Sequence, residues 1–229
     1  MTALAAIAAL PACAAVIYAL LRTPLTQRTL AAPRGDRWHE QATPTLGGVG
    51  IFAGFLAGLG VAAATGQIDL NERLLGIVAG CGLLFLFGLL DDLWNLPPVT
   101  KLLAQLGASA IVLLTGLKVE IVSNNWIAVA IGVVWLVGMT NAFNLLDNMD
   151  GLAATLAAIA CTFFAIDAVT VHPSHTVLAI SASLGLACLG FLPFNLRLRG
   201  PALMFMGDSG SPRATRSRER RWRRSCSRS

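Results

Sequence analysis

The sequence predicts an all-α polytopic membrane protein with about seven transmembrane helices, and three observations carry that prediction. Of its 229 residues, 55% are hydrophobic and only 13% are charged, and the mean hydropathy is +0.69. Charge-poor runs recur along the chain at lengths near the ~20 residues that a membrane helix needs. Gly, Ala and Ser are abundant inside those runs, which suits close helix packing in lipid. A bilayer core offers no water to backbone polar groups, so such runs must be helices. The composition is too apolar for an ordinary soluble domain, and a soluble all-α bundle is the alternative.

Seven apolar segments follow in order: residues 2–21, 46–65, 74–90, 102–117, 126–143, 151–171 and 176–194. The first resembles a signal peptide in its length. It runs into "LRTPLTQR" with no small-residue cleavage site, and so reads as a retained first span. Within the sixth, Asp167 lies roughly 24 Å from the inner end at 1.5 Å per residue, near the outer interface, where it reaches water. Cys13, Cys81, Cys161, Cys188 and Cys226 are scattered, and none form a CxxC pair. They read as small buried residues and not as a disulfide framework or metal site. No internal repeat or soluble domain is apparent.

Lysine and arginine set the orientation. The loop after the first segment carries Arg22, Arg28, Arg34 and Arg37. Lys101 follows the third segment, and Arg197 and Arg199 follow the seventh. The opposite side has Arg73 and Lys118. Odd-numbered segments therefore end in the cytoplasm, and the N-terminus faces outward. Because spans alternate in direction, the loops after segments one, three, five and seven share one face. These hold "RGDRWHEQATPTLGG", "DDLWNLPPVTK", "NAFNLLDNMDGL" and "FNLRLRGPALMFMGDSGS". Nearly every distinctive polar cluster thus meets at the inner face.

Asp91, Asp92, Asp147, Asp150 and Asp208 bring five carboxylates to the inner ends of spans. Hard oxygen ligands suit Mg²⁺, which typically takes one or two carboxylates plus substrate phosphate oxygens. Lys101, Arg197 and Arg199 are candidate phosphate ligands. Asn141, Asn144 and Asn195 offer amides that both donate and accept. Glycines beside carboxylates in "DNMDGL" and "GDSGS" let backbone come close to a ligand. Together these point to phosphate chemistry with a metal at the membrane surface, where positioning and charge neutralisation do most of the catalysis. Each motif alone has a blander reading: the Asp-Asp pair as a solvated helix end, "GDSGS" as a turn, His39 as a loop histidine. "FNLLDNMDGLAA" lacks the spacing of a calcium hand.

In order, "TPTLGG", "DDLWNLPPVTKLLAQ", "NAFNLLDNMDGLA" and "FMGDSGS" resemble the polyprenyl-phosphate N-acetylhexosamine-1-phosphate transferases. The resemblance covers residues 1–211. It implies a helical enzyme of about ten or eleven spans with a cytoplasmic active site in the bacterial inner membrane. Such an enzyme moves a sugar-1-phosphate from a UDP-sugar to undecaprenyl phosphate and releases UMP. It also implies Mg²⁺ as cofactor, with Mn²⁺ as the alternative ion. Partners would be the membrane and a homodimer mate, and no nucleic acid.

Residue by residue, Asp91 and Asp92 match the family's paired aspartates at the reaction centre. Asp208 matches the Mg²⁺ ligand. Asn144, Asp147 and Asp150 match the motif that lines the nucleotide and metal site, with Asp150 in both catalytic and metal roles. Asn148 stands where that motif has its first glycine; asparagine also tolerates a left-handed backbone. Lys101 matches a lysine of the second motif. Asn195 and Phe205 resemble the amide and aromatic that hold uridine, and Asn141 joins the substrate-binding set. "RWHEQATPTLGG", with His39, is similar to the form found where the donor is UDP-N-acetylglucosamine. The alternative is the muramoyl-pentapeptide transferase branch, which also has TPTxGG. From another class, the alternative is a non-catalytic membrane protein that binds lipid phosphate. A transporter would place its polar residues at mid-membrane, and here they sit at inner helix ends.

Residues 1–211 therefore read as an incomplete transferase domain and 212–229 as a tail. Eight of those last 18 residues are arginine, so the pI near 9.3 describes the tail and not a nucleic-acid protein. A frame change in GC-rich DNA yields Arg- and Ser-rich sequence of this kind. The competing readings are a basic tail on anionic lipid and a short RNA-binding segment. Relatives continue into further spans and a histidine-containing loop, so the family resemblance is firmer than turnover by a chain of this length.

Overall fold

The computed structural model describes residues 2–23, 30–31, 43–94, 96–117, 122–147, 149–196 and 202–207. His39, Asp208, Arg197, Arg199 and the 212–229 tail lie outside the described residues. The described chain is helical: α1 (Thr2–Ala6), α2 (Ala9–Leu21), α3 (Gly47–Ala64), α4 (Glu72–Trp94), α5 (Pro98–Leu114), α6 (Asn125–Leu146), α7 (Leu152–Thr170) and α8 (His175–Asn195). A single two-residue pairing joins β1 (Leu30–Ala31) to antiparallel β2 (Thr43–Pro44). Six helices, counting α1 and α2 as one span, are long and apolar enough to cross a membrane, and α5 is shorter at 17 residues. All seven expected segments are therefore helices, and the protein is an all-α polytopic membrane protein.

Local chemistry sets the helix ends. Pro11 has no N–H, and its ring crowds the carbonyl four residues back, which breaks the first span between α1 and α2. Sequence patterning alone had read this span as unbroken. Asn124 caps α6 by accepting from the N–H groups of Trp126 and Ile127, and Ser174 caps α8 by accepting from Val177. Pro98 opens α5 at a position where a missing N–H costs nothing. Gly151, at φ +72°, turns the chain from α6 into α7, a left-handed backbone that disfavours other residues.

Small residues let the helices approach. Gly50, Gly54 and Gly58, four apart on α3, form one stripe. A Cβ on each would lie 2.4 Å from Ile17, 2.6 Å from the Ala9 carbonyl and 2.5 Å from the Ser183 hydroxyl. That stripe seats α2 and α8 against α3. Gly190 does the same on α8, 2.7 Å from the Leu10 carbonyl. Helices α2, α3, α7 and α8 thus make one tight group around Cys13, Ile17, Ala187 and Phe191. A second group, α4, α5 and α6, closes through Gly76 on Thr115, Gly80 on Val112 and Gly132 on Leu113. The stacked rings of Phe52 and Phe85, 4.4 Å apart, link the two groups.

The loops sort by end, as the alternation of spans requires. At one end Thr2 bonds His175 at 3.1 Å and Asp167 pairs with His172 at 3.1 Å. The Asp167 side chain is 44% exposed there. At the other end Phe205 donates its N–H to Pro44, Gly151 bonds Asn195, and Gly207 lies against Asp92. The polar loops following the first, third, fifth and seventh spans therefore converge at one end of the bundle.

Candidate active site at the convergent end

Two cavities open where those loops meet. The larger, of about 310 Å³, lies between the two helix groups. Its body is apolar, lined by Ile51, Phe85, Ala157 and Leu184, and its mouth carries Thr45, Asp92, Asn144 and Asp147. The smaller, of about 100 Å³, lies within the second group and is lined by Asp91, Lys101, Gln105, Thr140, Asn141 and Asn144. Gly88 and Asn144 border both cavities. A Cβ on Gly88 would meet nothing within 4 Å, so the wall that both cavities share is open at this glycine.

The adjacent aspartates part company here. Successive helical residues point about 100° apart, so only one of the pair can face a given cavity squarely. Asp91 is buried, accepts the Leu96 N–H at 2.8 Å and pairs with Lys101 Nζ at 2.6 Å. It closes the turn between α4 and α5 and fixes the lysine. Asp92 faces the larger cavity instead. Asn141 exchanges two bonds with Gln105, at 2.9 and 3.3 Å, and also donates to the Val137 carbonyl. Its amide therefore stiffens the wall of the smaller cavity.

A strap of residues 202–207 brings the last motif in. Its backbone is bonded on both sides: Phe205 N–H to the Pro44 carbonyl at 2.8 Å, Gly47 N–H to Phe205 at 2.9 Å, and Gly48 N–H to Met206 at 2.6 Å. The first N–H groups of α3, which have no partner inside their own helix, are thereby satisfied. Gly47 must be glycine for this contact, because a Cβ would lie 2.6 Å from the Phe205 carbonyl and 2.4 Å from the Phe191 ring. The strap ends at Gly207, where a Cβ would sit 2.4 Å from Asp92 Oδ2. Gly207 immediately precedes Asp208 in sequence.

Phe205 is half-buried, and its backbone bonds Pro44 and Gly47. Asn195 is buried and spends its amide inside the fold. Asp150 sits half-buried just before Gly151, on the rim of neither cavity. Sequence reasoning left Thr45 and Gln105 without a task. Thr45 belonged to a motif that carried no charge. Gln105 had a signal: it lies four residues after Lys101, on the same helix face.

Among the described residues no three His, Cys, Asp or Glu side chains cluster as a metal site. Asp92 and Asp147 share the mouth of one cavity with Asn144. That oxygen donor set fits an ion such as Mg²⁺, which completes its shell with water and substrate phosphate.

A match to the family described as glycosyl transferase family 4 spans residues 74–214. The chain belongs to glycosyl transferase family 4. This family 4 chain is 35% identical over 213 residues to a Bacillus subtilis protein named a probable undecaprenyl-phosphate N-acetylglucosaminyl 1-phosphate transferase; the match covers 86% of this chain and 57% of the relative. It is 31% identical over 204 residues to the decaprenyl-phosphate N-acetylglucosaminephosphotransferase of Mycolicibacterium smegmatis, covering 80% and 50%. The phospho-N-acetylmuramoyl-pentapeptide-transferase of Oceanobacillus iheyensis is 33% identical over 204 residues, covering 77% and 60%. The chain spans about half the length of the curated relatives it matches.

Proposed function

We propose that the protein transfers N-acetylglucosamine-1-phosphate from UDP-N-acetylglucosamine to undecaprenyl phosphate at the cytoplasmic face of a bacterial plasma membrane. The observation that carries this reading is the pair of cavities that share Gly88 and Asn144, with a carboxylate in each. Two substrates that react phosphate on phosphate need such a junction: separate approaches and one polar meeting point.

The reaction balances simply. An oxygen of the lipid phosphate bonds to the sugar-linked phosphorus of the UDP-sugar. The bond from that phosphorus to the bridging oxygen breaks, and UMP leaves with the electron pair. A lipid phosphate is already largely ionised near neutral pH, so the site needs to orient charge more than to remove a proton. Bound Mg²⁺ would supply charge neutralisation at the diphosphate. Asp92 and Asp147, joined on sequence grounds by Asp208 and Asp150, are the residues we propose to hold it. Lys101, fixed by Asp91 at 2.6 Å, offers a cation to phosphate oxygens at the smaller cavity. Asn144 reaches both sides and is suited to hold both phosphates at bonding distance. The apolar body of the larger cavity keeps water from the junction. His39 is assigned to donor recognition on sequence grounds.

The test is UMP release by the full chain in lipid vesicles, with UDP-N-acetylglucosamine or UDP-muramoyl-pentapeptide as donor. Release with the first donor, dependent on undecaprenyl phosphate and lost with EDTA, supports the proposal. Release with the second donor alone moves the protein to the peptidoglycan branch. Tight binding of UDP-sugar with no release favours a non-catalytic binder of lipid phosphate.

A further inference from the structure

We infer that Asn195 is a positioning residue: its single amide joins the turn after Asp147 to the strap that ends against Asp92. One side is the Asp147–Gly151 turn, where the Gly151 N–H donates to Asn195 Oδ1. The other is the strap, where Asn195 Nδ2 donates to the Met204 carbonyl at 2.9 Å. The two contacts settle which end of the amide points where, because a backbone N–H needs the oxygen and a carbonyl needs the nitrogen. Asn195 is 5% exposed, so neither bond is easily replaced by water.

The surroundings leave this joint little slack. Gly151 has φ +72°, and a Cβ on it would lie 3.0 Å from Leu196 Cβ. The strap returns on α8 just before the joint, where Leu203 donates to the Phe194 carbonyl at 2.8 Å. From there it runs to Gly207 against Asp92. Moving the Met204 carbonyl therefore moves Gly207 relative to Asp92, and moving Gly151 shifts the loop that begins at Asp147. Helix α8 ends at Asn195, two residues after Pro193, which frees the side chain to reach both loops.

Residue chemistry narrows the choice at this position. Asparagine presents one acceptor and one donor side by side. Aspartate in its charged form has only acceptors and strands the Met204 carbonyl. Leucine keeps the volume and loses both bonds. Asn195 thus holds the Asp147–Gly151 turn and the 202–207 strap in one geometry, a role that rests on the transferase reading only for its catalytic consequence.

The experiment compares Asn195→Leu and Asn195→Ala with the parent chain in lipid vesicles, by hydrogen exchange and by UMP release. In both variants, peptides spanning 147–155 and 202–207 should exchange about tenfold faster, the effect of losing one buried hydrogen bond on each side. Turnover number should fall by about tenfold or more. The Mg²⁺ concentration for half-maximal rate should rise, and the KM for UDP-N-acetylglucosamine should stay within about twofold. Should Asn195→Ala fail to fold, Asn195→Leu carries the test. Unchanged exchange at both segments in Asn195→Leu overturns the inference. So does a rise in KM alone with turnover intact, which makes the amide a direct substrate ligand. Faster exchange in a protein that never releases UMP supports the joint and sinks the transferase reading.

Discussion

Lys101 Nζ stands 2.6 Å from Asp91 Oδ2, and this contact divides the labour of two adjacent aspartates. Asp91 is held by the lysine and by the Leu96 N–H, while Asp92 borders the larger cavity beside Gly207. Replacing either one isosterically should therefore have opposite signatures. Asp91→Asn should lower the melting temperature, because it removes a charge partner from a largely buried pair, at a cost of roughly 1–3 kcal/mol. Asp92→Asn should remove most UMP release and lower the melting temperature less than Asp91→Asn does. A thermal melt in detergent beside an activity assay separates them. Equal loss of stability in both contradicts the division.

Gly88 offers a cleaner probe of the junction. Its missing side chain faces open space, and glycine within a helix is less stable than alanine by roughly 0.5–1 kcal/mol. Gly88→Ala should fold at least as well as the parent, and Gly88→Leu should crowd the space that both cavities border. UMP release should drop by about tenfold or more, since misplacement of the reacting groups is costly. Full activity in a folded Gly88→Leu protein would show that the cavities work apart.

Gly47 tests the seat of the strap. A Cβ there meets a carbonyl at 2.6 Å and a ring at 2.4 Å, and backbone cannot swing away as a side-chain tip can. Gly47→Ala should cost roughly 1–3 kcal/mol. Gly60→Ala, where nothing lies within 4 Å, should be neutral or stabilising. Denaturation of the two variants side by side checks this.

Gln105 and Asn141 make a reciprocal amide pair between α5 and α6. Gln105→Leu or Asn141→Leu alone should destabilise the protein, and the double variant should recover part of the loss. The coupling energy should be about 0.6–1.7 kcal/mol. A double-mutant cycle on stability that shows no coupling contradicts the pairing.

How much of this could be read from residues alone depended on range. The spans were legible because hydropathy is a local property, and the convergence of the polar loops followed from counting crossings. Pro11 could have announced the break in the first span, since its clash with the preceding turn is local. The different tasks of Asp91 and Asp92 were half legible: helix geometry says that they diverge, but only packing says which one meets Lys101. Asn195 was legible as a polar residue at a helix end and no further. Its partners, Gly151 and Met204, come from different loops, and no pattern along the chain announces that meeting. His39 and Asp208 stay assignments by motif, with Gly207 beside Asp92 as the neighbouring contact that supports the second.

The most direct measurement is UMP release by the full chain in vesicles holding undecaprenyl phosphate, with UDP-N-acetylglucosamine and Mg²⁺, compared with Asp92→Asn. The account predicts release that needs both substrates, stops on chelation and is lost in the variant. Release that persists undiminished in a folded Asp92→Asn protein, or no release from the parent chain with either UDP-sugar, would contradict it.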